Sequence, residues 1–158
     1  SSGREKRIGT SYRNMKECEA VQHLVNMIPA KVEIGVISFY QSQVHQLRKK
    51  LSQKQNVVVS TVDGFQGGEC DYIIISCVRA NPRGDVGFAR DFRRLNVAIT
   101  RARFGLVVLC NAATFQKQKG HILFQLLDDA TKRQKLFPER TLWATKKVRQ
   151  NNKTKLQI

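Results

Sequence analysis

Val57-Val58-Val59-Ser60-Thr61-Val62-Asp63-Gly64-Phe65-Gln66-Gly67-Gly68-Glu69-Cys70-Asp71-Tyr72-Ile73-Ile74-Ile75-Ser76-Cys77-Val78 joins two apolar, β-branched runs through a polar loop that carries three glycines. The runs at 57–60 and 72–78 predict strands. The second is apolar throughout instead of alternating, which marks a strand covered on both faces. Such a strand needs helices above and below it, and both sides of the stretch supply them. Upstream, Val21, Leu24, Val25 and Ile28 predict a helix over 15–28. Glu33–Phe39 predicts a strand, and Val44, Leu47 and Leu51 share one face of a helix over 42–51. Downstream lie a Gly-, Asn- and Pro-bearing loop at 80–87, a helix through 93–103, a strand at 105–110 and a helix over 122–132. The expected fold is α/β, a mainly parallel sheet with helices on both faces. Ligands of such sheets gather at the carboxyl ends of the strands, from which the loops after Val59 and Val78 depart.

Composition bounds the function. The chain has 158 residues and 41% hydrophobic content, enough for one domain with a real core. Its net charge of +16 calls for a polyanionic partner. Nucleic acid and an anionic membrane surface both fit the charge, but no run approaches the ~20 apolar residues of a membrane span, and no amphipathic anchor or signal peptide is visible in these residues. Nine basic residues against Glu139 alone follow from Lys132 onward. Residues 1–145 are expected to form the domain and 146–158 a basic tail or linker, either solvated or making non-specific phosphate contacts. Ser1-Ser2-Gly3 reads as a cut point, so the chain is expected to be a piece of a longer protein. Cys18, Cys70, Cys77 and Cys110 form no CxxC pair, and no histidine sits near them at ligand spacing, so no metal site is expected. Cys77 and Cys110 read as buried small hydrophobes, and reduced thiols fit the cytoplasm or nucleus.

Two stretches could carry chemistry. In Ser60–Glu69, the glycines allow close backbone approach and leave amides to meet phosphate, while Ser60 and Thr61 can donate to phosphate oxygens. Glu69 can accept from sugar hydroxyls or organise water around a metal–nucleotide complex. A plain polar turn is the competing reading. In Arg93-Arg94-Leu95-Asn96-Val97-Ala98-Ile99-Thr100-Arg101-Ala102-Arg103, the apolar positions predict a helix pressed onto the core, with Arg94 and Arg101 two turns apart on one face. A held guanidinium suits charge developing in phosphoryl transfer, and a solvated basic helix is the alternative.

"VSTVDGFQGGECDYIIISCVRAN" resembles motif V of superfamily 1 helicases of the up-frameshift type, and "GFARDFRRLNVAITRARFGLVVL" resembles their motif VI. "IGVISFYQSQVHQLRKKL" is similar to their motif IV region. Order and spacing match across about residues 33–111. The resemblance implies the second RecA-like domain of a motor that binds ATP with Mg²⁺ between two such domains and single-stranded RNA or DNA across both. By matching positions, Arg101 is the arginine finger, Arg94 a supporting ionic residue, and Gly67 and Glu69 nucleotide neighbours, with Glu69 near the ribose. Gln66 would couple the nucleotide to the strand. Ser38, Tyr40, Ser60 and Thr61 fall on the nucleic-acid side, and Gln43 also matches motif IV.

There are departures. Ser38-Phe39-Tyr40 stands where many relatives have Thr-Pro-Tyr, and Gly68 and Cys70 replace two basic residues of the motif V loop. Asp91-Phe92 replaces a common Asp-Pro. No G-x-x-x-x-G-K-[ST] occurs and no Walker B strand end is apparent. The chain is therefore expected to be half of a helicase ATPase, inactive alone and monomeric. Its first RecA-like domain would hold most of the ATP and Mg²⁺ contacts. A RecA-like module that binds nucleic acid or protein without turnover is the other reading.

Overall fold

The computed structural model describes residues 3–65, 68–138 and 141–142. Gln66, Gly67 and the expected tail at 146–158 lie outside the described residues.

Two short strands, β1 (Lys6–Ile8) and β2 (Ser11–Arg13), form an antiparallel hairpin. The remaining chain runs α1 (Met15–Met27), β3 (Ile34–Ser38), α2 (Gln41–Lys50), β4 (Val57–Thr61), β5 (Cys70–Ser76), a 3₁₀ turn (Gly87–Arg90), α3 (Phe92–Ile99), β6 (Ala102–Leu109), α4 (Ala112–Phe115) and α5 (Ile122–Lys132). The four long strands make one parallel sheet in the order β4-β3-β5-β6.

The expected two-sided burial of β5 is observed, and it divides the core. Ile74 packs with Cys18, Val21 and Val25 of α1 and Val44 and Leu47 of α2. Ile73 and Ile75 point the other way, onto Leu95 and Ala98 of α3 with Phe115 and Leu123 beyond. All three isoleucines are fully buried. Successive side chains of a strand alternate between faces, so a run of three isoleucines feeds both layers. Burying each contributes about 1.5–3 kcal/mol.

The passage from β4 to β5 places the site. It is a parallel crossover without a helix. Val62 N donates to Ser38 O at the carboxyl end of the sheet, and Cys70 opens β5 at the amino end. Between them the loop crosses the face of β3, with Phe65 buried over Gly35. A Cβ on Gly35 would lie 2.8 Å from the Phe65 ring and 2.5 Å from Ile73 Cδ1, so only glycine lets the loop pass so close.

Candidate nucleotide edge and nucleic-acid cavity

At the carboxyl end of the sheet, a cavity of about 370 Å³ is lined by Tyr40, Thr61, Asp63, Phe88 and Arg94 among others. Its wall is fixed by a charged hub. Arg79 leaves β5 through Val78, which sits at φ 68°. Its guanidinium pairs with Glu5 at 3.0 Å and Asp85 at 2.6 Å, donates to the Tyr40 hydroxyl at 3.4 Å and lies 4.4 Å over the Tyr12 ring. The Tyr40 hydroxyl also accepts from Phe88 N at 3.2 Å, and Asp85 accepts from Gly87 N at 2.9 Å. Burial opposes the charge on Arg79, but its bonds to Glu5, Tyr40 and Asp85 outweigh that and raise its pKa. The Gly87 N–H, with Arg79 in support, lowers that of Asp85. Burial pushes the Tyr40 hydroxyl up, keeping it neutral.

Tyr40 and Thr61 thus meet at one cavity. Ser38 does not join them: it is fully buried, and its hydroxyl donates to Ser76 O at 3.0 Å. It clasps β3 to β5 beneath the cavity floor, because a hydroxyl at the last position of an inner strand finds the neighbouring carbonyl before it finds solvent. Gln43 is also fully buried, accepting from Asn14 N at 2.8 Å and donating to Ser76 Oγ at 2.9 Å. Thr61 Oγ1 accepts from Gly64 N at 3.1 Å, which starts the crossover loop.

The arginine run departs from expectation. α3 begins with Asp91 capping Arg93 and Arg94 but stops at Ile99, and Ala102 already belongs to β6. The Thr100 hydroxyl donates to the Asn96 and Val97 carbonyls, closing the helix end. Arg94 and Arg101 consequently do not share a helical face. Arg94 lines the carboxyl-end cavity and pairs through Nε with Asp63 at 3.1 Å. Arg101 sits in the turn into β6, its Nε donating to Val97 O at 3.2 Å.

Arg101 has a different neighbour. Its carbonyl accepts from Cys70 N at 3.0 Å, so Glu69 and Arg101 stand on adjacent strand entries at the amino edge. Glu69 is 58% exposed and 3.6 Å from Arg103, which also reaches Glu33 at 3.3 Å and Asp71 at 3.7 Å. Glu69, Gly68, Gly64, Ser60 and Arg48 belong to the lining of a second cavity of about 500 Å³. Ser60 therefore faces this cavity and not the one that Thr61 lines. In that lining the Glu69 carboxylate can accept hydrogen bonds and the Ser60 hydroxyl can donate or accept one. Among the described residues no cluster of metal ligands exists.

The AAA domain family matches residues 1–113 of the chain. The chain is 40% identical over 131 residues to Helicase sen1 of Schizosaccharomyces pombe, covering 73% of the chain and 8% of that protein. It is 44% identical over 124 residues to the Regulator of nonsense transcripts 1 homolog of Arabidopsis thaliana, covering 70% and 10%. To the Probable helicase senataxin of Homo sapiens it is 37% identical over 142 residues, covering 83% and 5%. The chain belongs to the AAA domain family, among superfamily 1 helicases of the up-frameshift type. It spans a tenth or less of the length of these three relatives.

A helicase domain of this family uses the P-loop NTPase fold, and the parallel sheet agrees. Several of its anchoring residues were not singled out by motif reading: Glu5, Glu17, Arg79 and Asp85. An arginine directly after an apolar strand is the signal available, and it names no partner: Asp85 lies six residues on, but Glu5 lies 74 residues back. The four cysteines are all free thiols. Burial raises Cys18 and Cys110 to about 12. No helix among the described residues is long and apolar enough to cross a membrane.

Proposed function

We propose that this chain is the C-terminal half of an ATP-dependent RNA or DNA helicase motor. The supporting observation is the position of the two described ends of the β4–β5 connection: one carries Asp63 beside Arg94 and the strand cavity, the other carries Glu69 on the strand entry next to that of Arg101. A single loop thus touches both proposed ligand sites, and Phe65 ties its middle to the core.

ATP with Mg²⁺, held mainly by the first RecA-like domain, supplies the phosphoryl group. Arg101 swings from the Val97 carbonyl to stabilise negative charge on the transferring group. The move gives up an exposed hydrogen bond to the Val97 carbonyl. Glu69 accepts from the ribose hydroxyls after releasing Arg103. By the motif match, Gly67 is assigned to the nucleotide and Gln66 to the coupling of nucleotide and strand. Thr61, with Tyr40 behind it, shapes the strand side, whereas Ser60 faces the cavity of Glu69. Ser38 acts there through the sheet end, not by touching the strand.

The partners are single-stranded nucleic acid and the first motor domain, with the motor working as a monomer in the cytoplasm or nucleus. ATP hydrolysis with single-stranded RNA tests this reading, first with the chain alone and then with the upstream domain of the parent protein added. Inactivity alone and activity on addition is the expected result. Turnover by the chain alone would overturn the half-motor reading, and silence in both states would favour a binding module without turnover.

A further inference from the structure

Phe88 is 53% exposed, yet its backbone is hydrogen-bonded at both its N–H and its carbonyl. Its N–H donates to the Tyr40 hydroxyl at 3.2 Å. The residue before it, Gly87, has φ 54° and donates to Asp85 at 2.9 Å. A Cβ on Gly87 would collide with the Tyr40 hydroxyl and Arg79 Nη1. The hub of Arg79, Asp85 and Tyr40 therefore locks the 3₁₀ turn, and the turn presents a phenyl ring to solvent. A ring needed only for the core would be buried. This one rests against Tyr40 with centroids 5.4 Å apart and planes tilted by 43°.

The surroundings select the occupant. Phe88 lines the carboxyl-end cavity with Thr61 and Arg94. The Arg94 guanidinium lies 5.9 Å above the Phe88 ring, a weak contact at an exposed site that another π-face can replace. Arg90 and Arg93 are exposed on the same short stretch, and Arg93 lies over Phe92, which is 61% exposed. Asp63 and Asp91 both face Arg94 at its Nε, so they counter that one charge and leave Arg90 and Arg93 to act on phosphates. Exposed aromatic rings interleaved with arginines form the surface that stacks bases and tracks a backbone without reading sequence. An acidic protein would satisfy the arginines but not a fastened, outward phenyl ring beside hydroxyls.

We infer that Phe88 is a base-stacking residue for single-stranded nucleic acid, one that holds a base at the mouth of the Tyr40–Thr61 cavity. This rests on the proposal that the carboxyl-end cavity takes the strand. Stacking is sequence-tolerant because every base has a π-face, which suits a protein that must step along any sequence.

The test is fluorescence anisotropy of the chain with labelled oligothymidylate and with the same backbone carrying abasic sites. Phe88→Ala should weaken oligothymidylate binding about tenfold, the loss of one stacked base, and leave abasic binding unchanged. Phe88→Trp in a Trp143→Phe background should bind as wild type does, and its indole emission should be quenched by the bases. The tryptophan variant also decides the matter if Phe88→Ala does not fold. Equal binding by Phe88→Ala and wild type, or an unquenched tryptophan on a bound strand, would overturn the stacking role while leaving the strand site standing. If the wild-type chain binds neither oligomer, the strand site itself falls, and the stacking role with it.

Discussion

Glu17 Oε2 accepts the backbone N–H of Val78 at 2.9 Å, and Val78 is held at φ 68°. A β-branched residue in the left-handed region is strained by about 1–3 kcal/mol and persists only where its surroundings impose it. The same oxygen accepts from Ser76 Oγ at 2.6 Å. Glu17 belongs to α1, so one helix side chain turns the chain out of β5 and sends Arg79 toward Tyr40. Glu17→Ala leaves the Val78 N–H and the Ser76 hydroxyl buried without this acceptor. The expected loss is about 3 kcal/mol, read by urea unfolding. Glu17→Gln, which keeps an oxygen, should lose less. An alanine variant as stable as wild type would mean that Val78 needs no such restraint.

Arg101→Ala should separate catalysis from folding. The guanidinium makes an exposed hydrogen bond to Val97 O, so the unfolding free energy should move by less than about 1 kcal/mol. In the full-length parent protein, ATP turnover should fall about a thousandfold or more, the effect of losing an arginine finger, while nucleotide binding persists. Steady-state kcat and nucleotide titration read the two quantities. Turnover at the wild-type rate would remove Arg101 from the chemistry.

The thiols should be inert in the native state. Only thiolate reacts quickly, and burial raises Cys18 and Cys110 to about 12 and Cys77 and Cys70 above their ordinary value. A thiol reagent at about pH 8 should label none of the four rapidly, and all four after denaturation. The fold holds these thiols protonated more firmly than the unfolded chain does. Their contribution to stability is therefore complete below about pH 8.5 and is lost as pH rises from there toward the folded values. A fast-labelling cysteine in the native protein would contradict the burial.

The sheet was legible in the sequence because β5 and β3 are continuous apolar runs, and the apolar period of α5 brackets the observed helix at Ile122 and Lys132. The hairpin was not, since three-residue strands of Lys6–Ile8 and Ser11–Arg13 are too short to show a period. The end of α3 was hidden for another reason. Ala102 continues the helical spacing of Leu95, Ala98 and Ile99, but it is placed against the core by β6 instead. The motifs marked positions that the fold brings together in pairs, Tyr40 with Thr61 at one cavity and Glu69 with Arg101 at adjacent strand entries. The hub was illegible because Arg79 and Glu5 are 74 residues apart in the chain, and no local pattern pairs them. Ser38 shows the converse limit: a motif can mark a position whose side chain the fold keeps for itself.

Gly35→Ala probes the crossover loop directly. The position lies within β3, paired with Val58 on one side and Ile73 on the other, so the backbone itself tolerates alanine. The added methyl must instead displace the Phe65 ring or Ile73 Cδ1. Ile73 is fully buried in the sheet centre, whereas Phe65 belongs to a loop, so the loop is the part that yields. Overpacking of this kind costs about 1–3 kcal/mol. Shifting Phe65 moves both ends of residues 62–69, the Asp63–Arg94 pair and the Glu69 side alike. The expected outcome is a folded variant, by its far-ultraviolet circular dichroism, with weakened oligothymidylate binding. In the parent protein its ATP turnover should respond less to added strand. Wild-type strand affinity together with wild-type stimulation would show that the path of the loop over Gly35 is not what joins the two sites.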